Sequence, residues 1–316
     1  MTVSLDRDIV LPAPGRSAQR IRPARWRAWL APLPYLAPAM LLLGLFTYWP
    51  LVYTIFLSFF RWNLVSPDMR FVGIDNFTGL SQSPMFDAAM RNTAFYVLGS
   101  IPLKVLLPIP IAAFLWAMGG GRSFAYKTIL FLPTILSFVV VALVWLYLLN
   151  PIVGLVQAVL ASVAGVRLPS LLGDADTALW TILGISTWKI IGFNTILYLA
   201  GLARINRDLV DAMRLDGARD RQVFRFLIWP LLTPTTLFVL VATVIFSLQQ
   251  VFTPIDVLTR GGPANATTNL FHMVYIYTFE SFNVGLGAAG TTFLFLLILF
   301  VTVVKLKLLE RWVHYQ

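Results

Sequence analysis

The groups in this chain that could do chemistry are charged side chains set inside or between long apolar runs. The stretch DAMRLDGARDRQVFRFLIWP, residues 211–230, carries seven charged residues among twenty and lies between two such runs. Two lysines, Lys104 and Lys189, lie within apolar runs. A lysine at the centre of a membrane helix costs about 2.5–3.5 kcal/mol on insertion scales, so we expect Lys189 to face a cavity, a partner chain or a counter-charge. The alternative, an ammonium that snorkels to the interface, is harder from the middle of a span.

Catalytic and metal chemistry are not indicated by the sequence. The chain has no cysteine and only two histidines, and it contains no GxxxxGK[ST] pattern with which to cradle nucleotide phosphates. The stretch GGGRSF (119–124) lacks the lysine-hydroxyl pair of such a loop and predicts a tight turn. No nucleophile–base set can be assigned, which disfavours a membrane-embedded enzyme. We expect no catalytic site, no metal site and no cofactor bound by this chain.

Composition identifies the elements that must position these charges as membrane helices. Hydrophobic residues make up 58% of the chain and charged residues 12%, whereas soluble domains carry about 25% charged residues. Ten tryptophans suit anchoring at the membrane interfaces. The net charge of +10 invites a nucleic-acid interpretation, but the positive residues flank apolar runs instead of forming one basic face. The sequence therefore predicts an integral membrane protein that binds no nucleic acid.

The apolar runs predict six membrane crossings, each of which needs about 20 apolar residues. We predict an all-α, polytopic protein with six transmembrane helices, at residues 34–60, 93–117, 127–149, 178–202, 229–253 and 284–308. Prolines within these runs predict kinks, which neighbouring helices can accommodate. The short apolar run at residues 154–166 predicts an interfacial or re-entrant helix rather than a further span.

The distribution of lysine and arginine orients the spans. With the N-terminus inside, the inner segments hold 17 of these residues and the outer segments hold 5, and positive residues accumulate on the cytoplasmic side. Both termini and the 203–230 segment are then cytoplasmic, and the chain lies in the cytoplasmic (plasma) membrane. Residues 1–30 form a basic cytoplasmic tail and residues 31–316 the transmembrane domain. A cleavable signal peptide is the alternative for the tail, but the apolar run that follows is longer than such a peptide needs.

The 203–230 segment has the pattern of two short amphipathic helices joined by a sharp turn. Leu202, Ile205, Leu209 and the pair Ala212–Met213 recur at helical spacing, with charged residues largely on the other side. Gly217 interrupts this pattern, as a residue that takes positive φ would. A second apolar face follows, formed by Val223, Phe224 and Leu227. Such a segment could transmit a push between two spans; the alternative is a solvated loop whose arginines only fix the topology.

The order of residue types in this segment resembles the cytoplasmic signature loop of binding-protein-dependent ABC importer permeases. That family has Glu-Ala-Ala, two residues, Asp-Gly-Ala, then a spaced Phe and a Leu-Pro. The residues that match are Ala212, Asp216, Gly217, Ala218, Gln222, Phe224 and Pro230, while Asp211, Met213 and Trp229 replace the family's Glu, Ala and Leu. Further stretches are similar to sugar permeases in the same order along the chain: FVGIDNF (71–77), RNTAF (91–95), LLNPIVGLV (148–156), LARINRDLVDA (202–212) and TRGGPANATT (259–268).

This resemblance implies a fold, a function and partners. It implies the type I ABC importer permease fold, and a transport subunit rather than an enzyme. The partners would be a second, homologous permease, two ATPase subunits that bind ATP and Mg²⁺, and an extracytoplasmic substrate-binding protein. The 203–230 segment would dock into a cleft of the ATPase, where the shorter Asp211 stands in place of the family's glutamate.

The substrate implied is a small sugar or polyol derivative. Trp188 with Lys189, and the closing LERWVHYQ, resemble the glycerol-3-phosphate branch of these permeases. A cation at mid-membrane would suit a phosphate, and Lys189, Trp188, Asn194, Gln249 and Gln250 are candidate pathway residues, although the glutamines could equally bridge helices. The resemblance favours glycerol-3-phosphate or a glycerophosphodiester as the substrate, and a disaccharide or an oligosaccharide is the alternative. An ion-coupled secondary transporter is a further alternative, disfavoured because the predicted spans hold no Asp or Glu.

Overall fold

A computed structural model describes residues 32–118, 120–165 and 169–312. The chain divides into two units, 1–52 and 53–316. The described part of the first unit contains α1 (Leu33–Leu43), a π-helical turn (Gly44–Tyr48) and the start of α2 (Trp49–Leu57). The second unit contains the other elements, in chain order β1 (Phe60–Arg61), β2 (Arg70–Phe71), α3 (Asp75–Ser81), α4 (Pro84–Ser100), α5 (Pro108–Met118), α6 (Gly120–Ile135), α7 (Phe138–Leu148), α8 (Leu155–Ala164), α9 (Ala175–Ala203), α10 (Arg207–Leu215), α11 (Asp220–Val223), α12 (Trp229–Gln249), α13 (Phe252–Leu258), α14 (Leu270–Tyr275) and α15 (Val284–Trp312).

The helical class predicted from the sequence is confirmed. The described residues contain only one short pair of strands, in which Phe60 lies opposite Phe71 in antiparallel register. Helix α8 has 10 residues and ends at Gly165, whose φ of +64° is left-handed. It is too short to cross the hydrocarbon, in agreement with the prediction for residues 154–166.

Five helical stretches in the described part of the chain are long and apolar enough to cross a membrane, and a sixth apolar stretch is a bent pair of helices. The five are Pro34–Leu57, Pro84–Met118, Ala175–Ala203, Asp220–Gln249 and Val284–Val303. Helices α6 and α7 meet the same test only as a pair, with a bend of 98° between them. The sequence predicts a proline-kinked span at 127–149; the structure has the bent pair α6–α7 there, and a total of six requires this pair to count as one crossing. The helices that contain the predicted second and fifth spans begin before those spans, at Pro84 and Asp220.

Three prolines are accommodated by π-helical turns. The residue before each proline donates its N–H to the carbonyl five positions back: Trp49 to Gly44, Leu107 to Pro102, and Trp229 to Phe224. The following residues are Pro50, Pro108 and Pro230. A proline ring clashes with the carbonyl four positions back in an ordinary α-helix, and the extra residue in a π-turn moves that carbonyl away. The helices therefore continue through these prolines.

Helix α9 is the central element of the larger unit. It packs against α5, α6 and α12, and 56% of its apolar window is buried, the highest share among the five continuous spans. Gly192 allows its close approach to α6, because a Cβ at this position would overlap the backbone carbonyl of Leu130. This contact brings the α6–α7 bend against the middle of α9, where Lys189 lies.

Candidate functional site

The first half of the 203–230 segment is a helix that is capped at its C-terminal end by Gly217, a glycine in the left-handed backbone conformation. Helix α10 begins after Asn206, whose side chain accepts a hydrogen bond from the Asp208 N–H at 3.0 Å. At its other end the Gly217 N–H donates to the Arg214 carbonyl and the Ala218 N–H to the Met213 carbonyl, each at 3.0 Å. This pair of bonds is the Schellman motif. Gly217 has φ +82°, so the positive φ predicted for it is confirmed.

The second half of the segment is part of the fifth span. The Arg219 N–H donates to the Gln222 Oε1 atom at 2.8 Å, which begins α11. The helix then continues through the π-turn Phe224–Ile228 into α12. An ion pair of 3.1 Å joins Arg214 to Asp220 across the turn. Both side chains are exposed, so this pair contributes at most about 1 kcal/mol.

A buried apolar cluster fastens the segment to two spans. The cluster joins residues of α9, α10 and α12 with the α11 region, and its buried members include Leu202, Ile205, Val210, Val223, Ile228 and Leu232. Met213, Ala218 and Phe224 are partly buried and pack against it. Helix α10 is therefore packed against the ends of α9 and α12 through this cluster.

The predicted apolar face of the segment is partly wrong. Leu209 is 49% exposed and Ala212 is also exposed, whereas Val210 is only 6% exposed. The prediction carried one helical phase through from Leu202. The structure breaks the helix between Ala203 and Arg207, and this break resets the phase.

The residues that match the signature loop fall into two groups. Asp211, Ala212, Asp216, Gly217 and Pro230 are exposed, whereas Ala218 and Phe224 are partly buried on the anchoring cluster. The sequence analysis missed Leu215, which is 90% exposed at the end of α10. The sequence feature that could have indicated Leu215 is its position: it is an apolar residue next to Asp216 and Gly217 that does not fit the helical spacing of the apolar face.

Asp211 lies at the rim of a pocket between α5 and α10. The pocket has a volume of about 230 Å³ and is lined by Trp116, Ala117, Arg207, Val210, Asp211 and Arg214. The Arg207 guanidinium lies 5.8 Å from the centre of the Trp116 ring. The segment thus presents a helix end, a tight turn and a charged pocket on one exposed surface, which suits docking of another protein.

Lys189 lies at the bend between α6 and α7. Its ammonium donates to the carbonyls of Thr134 at 3.1 Å and Leu136 at 2.6 Å, and it lies 4.7 Å from the centre of the Phe138 ring. The Thr134 hydroxyl in turn donates to the Lys189 carbonyl at 2.8 Å. Broken helices in a membrane leave carbonyls that need donors. The Lys189 ammonium is thus hydrogen-bonded to backbone carbonyls. The sequence predicted that it would face a cavity, a partner chain or a counter-charge.

Two of the predicted pathway residues, Trp188 and Gln249, lie away from the small cavity that contains Lys104. Trp188 packs edge-on against Trp145, with ring centres 5.6 Å apart, and lines an apolar groove with Leu149 and Ile185. Gln249 is exposed at the end of α12. Neither residue lines the cavity that holds the second lysine.

Lys104, Asn194 and Gln250 line one small polar cavity inside the spans. The other polar groups of its wall are Tyr96, Thr243 and Ser247. The Lys104 ammonium donates to the Tyr96 hydroxyl at 3.1 Å, and the Tyr96 hydroxyl also contacts that of Ser186. The Asn194 amide donates to the Lys104 carbonyl at 2.6 Å. The sequence analysis missed Tyr96, Ser186 and Ser247. The sequence feature that could have indicated them is a hydroxyl group within an apolar span.

The 259–268 loop lies between the fifth and sixth spans. It packs against the buried side chain of His272. Asn92 donates to the carbonyls of Asn265 and Thr268 at 2.8 and 2.9 Å and holds the loop in place. Burial lowers the pKa of His272, although the nearby carboxylates of Asp256 and Glu280 act in the opposite direction. The imidazole is therefore held closer to its neutral form.

Helix α10 and the Gly217 turn lie between two apolar spans and are packed against both of them. This arrangement is the architecture of an importer permease. The chain belongs to this class, because the family model for the "binding-protein-dependent transport system inner membrane component" matches residues 77–315. Its fold is that of a type I ABC importer permease.

Two sequence relatives and one solved structure are similar to this chain over most of its length. The chain is 30% identical to the sn-glycerol-3-phosphate transport system permease protein UgpA of Agrobacterium fabrum, over 90% of this chain and 96% of the relative. It is 34% identical to a probable ABC transporter permease of Pyrococcus horikoshii, over 85% and 93% of the two chains. A crystal structure of a bacterial ABC transporter involved in import of the acidic polysaccharide alginate aligns with a TM-score of 0.79 and 25% identity, over 90% and 96%.

Proposed function

We propose that this chain is the permease subunit of an ATP-driven importer for a small sugar or polyol derivative, with glycerol-3-phosphate or a glycerophosphodiester as the preferred candidates. It pairs with a second permease and two ATPase subunits, and an extracytoplasmic binding protein delivers the substrate. The observation that carries the proposal is the anchored geometry of the 203–230 segment. Its exposed side is free to bind a partner, while its buried side is joined to α9 and α12.

The mechanism follows from this division of the segment into two sides. ATP and Mg²⁺ bind the ATPase subunits, whose closure moves the docked α10 and its Gly217 turn. Because Val210 and Val223 are buried in one cluster with Leu202 and Ile228, this movement shifts the cytoplasmic ends of two spans together. Interiors of proteins are packed closely enough to transmit such displacements. Both chain termini lie on the same, cytoplasmic side.

The substrate assignment is supported by the chemistry that the relatives share. One relative is named for transport of glycerol-3-phosphate, and the solved neighbour imports an acidic polysaccharide. Both molecules are polyhydroxylated and carry negative charge. A second solved structure shows the alginate transporter in complex with a periplasmic protein bound to an alginate pentasaccharide, which supports the binding protein as a partner.

The test of the docking role is a Gly217→Val substitution with a matched control. Gly217 and Gly165 both have positive φ and open space where a Cβ would lie, so valine costs each of them similar backbone strain, about 1–3 kcal/mol. Both variants are purified with the ATPase subunits, and retention of the ATPase is measured. We expect Gly217→Val to lose the ATPase and Gly165→Val to retain it. Equal retention by both variants contradicts the docking role.

A further inference from the structure

Lys104 is a buried cation with no acidic partner in the part of the chain that the structure describes. Its side chain is in the π-helical turn Ile101–Leu106 and only 5% of the residue is exposed. Within residues 32–118, 120–165 and 169–312, its ammonium has one hydrogen-bond acceptor, the Tyr96 hydroxyl, and it lies 4.6 Å from the centre of the Tyr96 ring. Across the described ranges, no carboxylate lies within ion-pair distance of it. A buried charge in a membrane protein needs a counter-charge or polar partners, so this ammonium has capacity for a further acceptor.

The cavity beside Lys104 offers further hydrogen-bond donors. Ser247, Thr243 and the Gln250 amide lie in its wall, and the Ser247 hydroxyl reaches Ser100 at 3.1 Å. Hydroxyl and amide groups can donate to an anionic oxygen as well as to a sugar hydroxyl. Together with the ammonium they form a set suited to a phosphate or carboxylate group.

The cavity is closed to a whole substrate in this structure. Its volume of about 20 Å³ has room for one water molecule. Phe246 is exposed and Gln250 is half-buried, and both line the cavity. Gln250 follows the end of α12, and α13 starts two residues later at Phe252. Entry of a phosphate group requires these side chains to move apart, at a point where the helix is already interrupted.

Lys189 provides the contrast that singles out Lys104. The two lysines are equally buried, at 4% and 5% exposure. Among the described residues, the Lys189 ammonium donates to two backbone carbonyls, those of Thr134 and Leu136, whereas the Lys104 ammonium donates to one hydroxyl and lines the cavity.

We infer that Lys104, with Tyr96, Ser247 and Gln250, forms an anion-recognition site within the spans, and that the transported sugar or polyol carries a negatively charged group that binds there. This inference rests on the proposed importer function and adds to it a specificity-determining residue and the place where the charged group of the substrate binds. A neutral sugar would leave the ammonium without its counter-charge.

The test uses the complete importer, with both permeases, the ATPase subunits and the binding protein, reconstituted in proteoliposomes. Uptake of radiolabelled sn-glycerol-3-phosphate, an oligouronate and maltose is measured for each variant and normalised to assembled complex. The phosphate and carboxylate probes distinguish the two possible anionic groups, and maltose represents a neutral substrate. The variants are Lys104→Met, Lys104→Arg and, as the matched control, Lys189→Met.

We expect wild-type uptake of one of the two anionic probes. Loss of a hydrogen-bonded charge from the site should lower this uptake by about tenfold or more in Lys104→Met. Lys104→Arg keeps the charge and should exceed Lys104→Met severalfold, while Lys189→Met should match wild type per assembled complex. Uptake of maltose alone, unchanged uptake in Lys104→Met, or an arginine variant no better than methionine overturns the anion site but leaves the importer function intact. Wild type that takes up none of the three probes contradicts the proposed function, and the anion site with it.

Discussion

The 203–230 segment and the interior around the two lysines are stabilised in different ways. The segment is shaped by bonds between near neighbours, such as the Asn206 cap and the two bonds that close the Gly217 turn. The interior depends on contacts between distant parts of the chain: Lys189 reaches carbonyls 53 and 55 residues away, and Asn194 reaches the Lys104 carbonyl 90 residues away. The form of the segment therefore depends mainly on its own sequence, whereas the interior depends on how the spans pack.

The largest effect is expected where α6 meets α9, because the interior contact there has no room for a side chain. Gly192→Ala places a Cβ on the Leu130 carbonyl, whereas Gly184→Ala, on the same helix, points into open space. Overpacking costs about 1–3 kcal/mol or more when backbone must move. We expect Gly192→Ala to lower the yield and melting temperature of the purified protein sharply, with little change for Gly184→Ala. Similar melting temperatures for the two variants would refute this close approach.

The two lysines should respond in opposite directions when methionine replaces them. Lys189→Met leaves two carbonyls without a donor at the α6–α7 bend, at about 1–3 kcal/mol for a buried unsatisfied group. Lys104→Met removes a buried cation that has no carboxylate partner among the described residues, so the melting temperature should stay level or rise. Thermal unfolding in detergent measures both. Greater destabilisation by Lys104→Met than by Lys189→Met would contradict the assigned roles.

A smaller effect separates the two sides of α10. Val210 is buried in the anchoring cluster, and Leu209 beside it is half exposed. Val210→Ala removes about two buried methylene equivalents, or about 1.6 kcal/mol, and should loosen the segment. Leu209→Ala should change stability by less than about 0.5 kcal/mol. Hydrogen exchange of the α10 amides measures both, and faster exchange in Leu209→Ala than in Val210→Ala would reverse the assignment of the faces.

Features that depend on local rules could be predicted from the sequence. The Gly217 turn is one, since a glycine after an amphipathic helix is the usual end of such a helix. The phase of α10 was missed because nothing in the residues 204–206 marks the helix break strongly enough. A kink in the 127–149 run could be predicted from Pro133, but the size of the α6–α7 bend could not, because hydropathy reports how apolar a run is and not its direction. The partners of Lys104 and Lys189 depend on which spans become neighbours, and this information lies in tertiary packing.

The docking of the 203–230 segment on an ATPase is tested most directly by cysteine protection. The native chain has no cysteine, so Leu215→Cys introduces a single reactive thiol on the exposed end of α10. Ile152→Cys, whose side chain is 88% exposed, is the control on a different loop. Labelling by a maleimide is followed in detergent before and after addition of the ATPase subunits. We expect labelling at 215 to slow by about tenfold or more, as in a buried interface, while labelling at 152 is unchanged. Equal labelling at 215 with and without the ATPase would contradict the account.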